Sequence, residues 1–297
     1  MSTSSFTLPQ SLPQCAVKLP YNLTKDQLLA FPAFNDWLST LQDNLKLQDD
    51  KDHVFHKDPY KLREIDVQAV DWFTKTKLGF VKIQAKITTD KGGWLPGAVF
   101  LRGQSVAMLM ILQPDDVPVG TEQDKHVILT IQPRIAVGSL AMAEIPAGML
   151  DSGEIIGKAI NEIKEETGIV VQKKELINMS EEALKRFHAP LWKSSTASDR
   201  DTSATKADTN DGEKLKNAMY PSGGACDEAI TLLLYEKRVT RAEMDAHHGK
   251  LTGLREEGEN ITLKLVPLEN LWFEAGRDGK ALAALALYQA RRDAKEA

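Results

Sequence analysis

The chain has 297 residues, 42% hydrophobic and 27% charged, the balance of a globular protein with one large or two modest domains. Its formal net charge of −5 speaks against a nucleic-acid partner, and no apolar run approaches the roughly 18 residues that mark a membrane helix. Only two cysteines occur, Cys15 and Cys226, far apart in sequence; they suggest no disulfide framework, give no support to a thiolate metal centre, and suit a reducing, cytoplasmic setting. Residues 1–20 are rich in Ser and Thr, lack Arg, and read as a flexible leader, with organelle targeting as the weaker alternative. Helices are predicted from Thr24 to Ala30 and from Ala33 to Leu47, separated by Pro32. Leu62 to Val70 and Phe80 to Thr88 alternate apolar with polar residues, the pattern of antiparallel strands with one buried face. These elements define an N-terminal helix-and-strand region over residues 21–90.

From Lys91 the pattern changes, and a second region is expected over residues 91–297. Strands are predicted at Gly97 to Phe100, Ser105 to Leu112 and His126 to Ile131, with a short one at Leu140 to Glu144. A helix follows and stops at Gly168, after which Val170 to Leu176 leads into a strand. Residues 193–214 hold almost no large apolar side chain and are expected to be a disordered insertion. Strands at Ile230 to Tyr235 and Ile261 to Val266 and a helix from Gly279 to Ala294 close the chain. Helices set among many antiparallel strands predict the α+β class, in the form of an α/β/α sandwich.

The segment EIPAGMLDSGEIIGKAINEIKEETGI, from Glu144 to Ile169, carries the chemistry. At 100° per residue, Glu165 and Glu166 fall within about 60° of Glu162 on either side, so all three share one helix face. Ile156, Ile160 and Ile163 take an adjacent arc for burial. Like charges at this spacing repel by a few tenths of a kcal/mol, roughly, so a solvated acidic face competes with a cation site. Oxygen-only ligands favour Mg²⁺ or Mn²⁺ over zinc. Pro146-Ala147-Gly148, a turn at Asp151 to Gly153, Glu154 and the Gly168 stop frame the helix and favour the cation site.

Together these residues resemble the Nudix box: Gly, five residues, Glu, seven residues, then Arg-Glu-aliphatic-x-Glu-Glu-x-Gly-aliphatic. Gly148 and Glu154 have the family spacing, and Glu162 to Ile169 match every specified position of the second half. Two departures stand out. Only six residues separate Glu154 from the position before Glu162, and that position is Asn161 where the family has Arg. In the family that Arg holds a box glutamate in place; Asn keeps a hydrogen-bond donor without the charge.

Beyond the box, PGAVFLRG (Pro96 to Gly103), EIPAGML, YPSGGACDE (Tyr220 to Glu228) and LTGLREEGENITLKLVP (Leu251 to Pro267) resemble the ADP-sugar diphosphatase branch, especially its plant-type enzymes. The resemblance implies a Nudix α/β/α sandwich with a mixed sheet, and a homodimer in which the N-terminal strands join the subunit contact. It implies Mg²⁺-dependent cleavage of ADP-ribose or ADP-glucose to AMP and a sugar phosphate. Glu162 and Glu166 then match direct metal ligands, Glu165 a ligand or base, and the Ala147 carbonyl a further ligand. Glu259 matches the base held on a separate loop, with Glu256 and Glu257 as fallbacks and an exposed acidic loop as the plain alternative. Arg134 matches a phosphate-binding position, which its bidentate guanidinium suits, against a surface arginine. Glu228 orients substrate or water, or is structural. Trp94 is assigned to packing before adenine stacking, Glu154 to the helix N-terminus, and Cys226 to a small buried position. His188, His247 and His248 form no recognisable metal set. Other readings are a catalytically weak module binding a nucleotide sugar, and a hydrolase of UDP-glucose, GDP-mannose or a dinucleotide.

Overall fold

A computed structural model describes residues 4–8, 15–150, 155–184, 212–253 and 260–296. The chain divides into two compact units. The first comprises the described residues within Met1–Gly103, Lys185–Lys216 and Ser222–Glu228. In chain order it holds strands β1 (Ser4–Thr7) and β2 (Ala16–Leu19), helices α1 (Lys25–Leu29) and α2 (Pro32–Lys46), and strands β3 (Lys61–Trp72), β4 (Leu78–Thr88), β5 (Trp94–Leu95) and β6 (Ala98–Leu101). The sheet runs β1-β2-β3-β4-β5, with β6 also on β4. All pairs are antiparallel except β2 with β3.

Local chemistry explains the helices. Thr24 caps α1 in a capping box with Gln27, each side chain satisfying the other's backbone N–H. Pro32 occupies the first turn of α2, where its missing N–H costs nothing. Leu28, Phe34 and Leu38 pack on Ile65, Val67, Val81, Ile83 and Ala85 of the sheet. Gly97 has a specific packing reason, since a Cβ there would sit 2.0 Å from the Ala85 carbonyl oxygen.

Two expectations are corrected here. The stretch taken as a flexible leader contributes β1 and β2, with Cys15, Val17 and Leu19 buried in the core. The polar residues around them hide two strands too short for an alternating pattern to stand out. The first unit also extends past residue 90 to Gly103, because β5 and β6 pair with β4.

The second unit comprises the described residues within Gln104–Leu184, Asn217–Pro221 and Ala229–Ala297. Its elements are β7 (Gln104–Pro114), β8 (His126–Arg134), β9 (Ser139–Glu144), β10 (Ala147–Met149), α3 (Ile155–Thr167), β11 (Leu176–Asn178), α4 (Met179–Leu184), β12 (Ala229–Val239), α5 (Arg241–Asp245), β13 (Leu251–Thr252), β14 (Ile261–Pro267), α6 (Leu271–Glu274) and α7 (Gly279–Glu296). The sheet order is β11-β12-β7-β8-β14-β13, with β10 on β7 and β9 on β8. β12 lies parallel to β7 and the other pairs are antiparallel, so the sheet is mixed.

β7 is buried almost end to end, as a strand covered on both faces must be. Its odd-numbered residues, Ala107, Leu109 and Ile111, join Leu271, Ala281, Ala284 and Tyr288 of α6 and α7. Its even-numbered residues, Val106, Met108, Met110 and Leu112, join Ala159 and Ile163 of α3 and Met244 of α5. Period-2 alternation thus sends side chains to two helix layers, giving the expected α/β/α sandwich within the α+β class.

Val170 to Leu176 leads into a strand as expected, by way of a 3₁₀ turn at Lys173–Glu175 closed by the Gln172 and Glu175 pair, after which β11 begins. Most of the insertion expected at 193–214 lies outside the described residues. Its end is described, and there the Lys214 amide donates to the Asn44 side chain of α2 at 2.8 Å.

Candidate active site

α3 is the scaffold of the site. Ala159, Ile163 and Glu166 recur at i, i+4 and i+7, and all three are buried. Glu166 therefore belongs to the buried stripe itself and is only 2% exposed, whereas Glu165 is exposed. Glu165 and Glu166 thus differ in burial although they are adjacent on the helix. The Ile156 and Ile160 positions are only half-buried, and Ala159 takes the inner place beside Ile163. Glu162 is on α3 with its side chain outside the described residues, as are Glu154, Glu256, Glu257, Glu259 and His188.

A carboxylate in a buried stripe needs donors. Glu166 Oε2 accepts the backbone N–H of Ala147 at 3.0 Å. β10 supplies that amide by pairing Ala147 with Ala107 and Gly148 with Val106 of β7. The adjoining Pro146 carbonyl accepts from Met108 N at 2.9 Å. A small pocket results, walled by Val106, Met108, Pro146, Gly148 and Ala159 around Ala147 and Glu166. Ala147 and Glu166, matched separately to metal-binding positions, are thus brought together. Their donor chemistry, a carboxylate and a neighbouring peptide carbonyl, suits a hard divalent cation such as Mg²⁺.

α3 ends as its sequence requires. Gly168 adopts φ +73°, the left-handed conformation that lets its N–H return to the Lys164 carbonyl at 2.9 Å. Asn161, the departure from the family pattern, is exposed on the helix.

Arg134 ends β8 and forms an ion pair with Glu144, through Nε at 2.5 Å from Oε2. Glu144 in turn ends β9, just before Pro146 and β10. Its other oxygen accepts from Lys280 Nζ at 2.9 Å, and Lys280 also pairs with Asp278 at 2.8 Å. Asp278 receives the Ile145 amide at 3.1 Å. Burial alone would raise the Glu144 carboxyl, but the Lys280 ammonium and Arg134 guanidinium outweigh it and hold the pKa below its ordinary value. Lys280 shows the mirror case, with burial outweighed by Asp278 and Glu144 so that its pKa is raised. Sequence spacing did not find this network, since Lys280 lies 136 residues from Glu144.

In the first unit, Glu228 pairs with Arg102 at 3.2 Å and is largely buried. Neighbouring Asp227 accepts the amides of Arg102 and Gly103. Burial, the largest influence, raises the Asp227 carboxyl despite those two donors. Trp94, assigned above to packing, is 70% exposed, because β5 is a two-residue edge strand whose register with Thr88 turns the indole to the outer face. Cys226 is half-buried, and burial raises its thiol.

No family model matches the chain. It is 30% identical over 259 residues to Nudix hydrolase 14, chloroplastic, of Arabidopsis thaliana, covering 86% of this chain and 69% of that protein. A crystal structure of an ADP compounds hydrolase covers 79% of this chain and 97% of its own at 13% identity, with a TM-score of 0.39.

Proposed function

The chain belongs to the Nudix hydrolase family, and we propose that it splits the pyrophosphate of a nucleoside diphosphate sugar, ADP-ribose or ADP-glucose, into AMP and a sugar phosphate. The observation that carries this reading is the buried Glu166 carboxylate set against the Ala147 amide of β10. Glu162, Glu165, Glu166 and the Ala147 carbonyl are the groups assigned to hold Mg²⁺, with Mn²⁺ as its substitute. When bound, the cation supplies neutralisation of the pyrophosphate oxygens and Lewis acidity. The chain's own groups do the rest. The Ala147 amide orients the Glu166 carboxylate, the buried walls of the pocket exclude water from its inner side, and Glu259 takes a proton from the attacking water. Arg134 reaches a substrate phosphate with the part of its guanidinium beyond the Nε held by Glu144. Glu228 acts as a further substrate contact.

The same reading includes a homodimer joined through the N-terminal strands. It is supported by the outer face of their sheet, where Phe73 and Phe100 are exposed against Phe80, and where Trp94 is exposed farther along β4. For the compartment, a cytoplasmic or organellar setting is separated by imaging the tagged full chain. Among the described residues, no helix is long and apolar enough to cross a membrane.

Incubation with ADP-ribose, ADP-glucose, UDP-glucose, GDP-mannose and a dinucleotide in the presence of Mg²⁺ tests the proposal. Release of AMP from the two ADP-sugars above the others supports it, and no AMP at any pH sinks it. Asn161 in place of the family Arg favours a second reading, a module that binds the nucleotide sugar with little turnover. Calorimetric binding of ADP-ribose without hydrolysis selects that alternative.

A further inference from the structure

The final carbonyls of an α-helix have no partners within the helix. In α3 the Gly168 amide answers the Lys164 carbonyl, and the next two are met from a distant part of the chain. Gly253 N donates to the Glu165 carbonyl at 3.3 Å, and Thr252 Oγ1 donates to the Glu166 carbonyl. Lys250 completes the group. A Cβ built on Gly168 would lie 2.7 Å from Lys250 Nζ, so the ammonium rests over the helix terminus, where the helix dipole is negative. Three groups from residues 250–253 thus cap the helix that carries the site, across a separation of 86 residues between Thr252 and Glu166.

We propose that Thr252 is a positioning residue for the metal site, with Lys250 as its electrostatic support. Glu166 is gripped at both ends: its carboxylate by the Ala147 amide and its backbone carbonyl by the Thr252 hydroxyl. The first grip fixes the direction of the carboxylate, and the second fixes the helix end from which it projects. Gly253 extends the same hold to Glu165. Partners one step removed from a metal typically change its affinity by about 10- to 100-fold when lost. This inference rests on the metal-site reading of Glu162, Glu165 and Glu166.

Direct Mn²⁺ binding to the metal-free chain, followed by electron paramagnetic resonance with thermal unfolding of the same samples, tests it. Thr252→Val removes the donor at nearly constant volume and is expected to weaken Mn²⁺ about tenfold, while Thr252→Ser stays within about twofold of the parent chain. Lys250→Gln changes an exposed side chain and keeps the fold testable if the valine variant does not fold; it is expected to weaken Mn²⁺ by about threefold. A purely structural role lowers the unfolding temperature and leaves Mn²⁺ affinity unchanged, and that result overturns the proposal. Equal losses for valine and serine overturn it too, because the hydroxyl is then not responsible. Absence of Mn²⁺ binding in the unsubstituted chain overturns the metal-site reading and this inference together, and is recognised before any substitution is made.

Discussion

Glu166 is a costly residue to bury, and its environment tells what it is for. The Ala147 amide donates to its carboxylate at 3.0 Å, and an ionised carboxylate, an acceptor-only group, suits electropositive partners. Glu166→Gln and Glu162→Gln should each lower turnover by at least about 100-fold, roughly 2.7 kcal/mol of barrier, with circular dichroism unchanged. Near-normal rates in either variant remove the metal assignment. Glu259→Gln is expected to lower kcat more than it raises KM, as loss of a base does; an effect on KM alone would make it a binding residue. The motif singled out three carboxylates on one helix, but not which one turns inward. That choice is made by β7 and β10, whose register with Ala147 no helical projection contains. The Glu144–Lys280–Asp278 network was equally invisible, being assembled from separate elements. Lys280→Met should cost about 3 kcal/mol near neutral pH, because it leaves two buried carboxylates without their ammonium. The folded-state pKa of Glu144 is depressed, so its contribution is present above its unfolded value and is lost as pH falls through the folded one. The gap between variant and parent in urea unfolding should therefore narrow as pH drops below about 4.

At the scale of elements, strands read well where one rule governed them. β3 and β4 alternate because one face is buried, and β7 is continuously apolar because both are. β1 and β2 escaped notice since four residues of alternation do not rise above a Ser/Thr-rich background, and only pairing reveals them. Likewise β13 is two residues long, yet it and its flanks cap the central helix. Helix ends were more legible, because capping is written locally: Thr24 with Gln27 at one start, Gly168 at the stop of α3. That stop yields a prediction. Gly168→Ala places a Cβ in the left-handed region and displaces the Lys250 ammonium, whose flexible end can move aside. The conformational strain should then dominate, lowering stability by about 1 to 2 kcal/mol in urea unfolding. A neutral effect would mean that the helix end relaxes out of its observed form.

At the scale of the molecule, the two units solve the burial problem differently. Among the described residues, the second covers both faces of its sheet with helices, while the first sets α1 and α2 against one face. Its outer face carries a Phe73, Phe80 and Phe100 cluster, with Phe73 edge-on to Phe80 at 5.0 Å between ring centroids, and Trp94 on the same face farther along β4, opposite Thr88. Aromatic side chains left together in water are the usual core of a contact between chains. A second copy meeting that face would bury both sets at once, as a two-fold interface requires. Charged residues on the same strands, Lys82 and Lys86 of β4 and Glu64 and Asp66 of β3, would form the polar rim and limit aggregation into open arrays. Sedimentation on the order of 10 µM should therefore give a species of twice 32.9 kDa. Trp94→Glu combined with Phe100→Glu should shift it to the single-chain mass without unfolding it, since both side chains are already exposed. If the parent chain sediments at the single-chain mass, or the double variant keeps the larger one, this face is not the subunit contact.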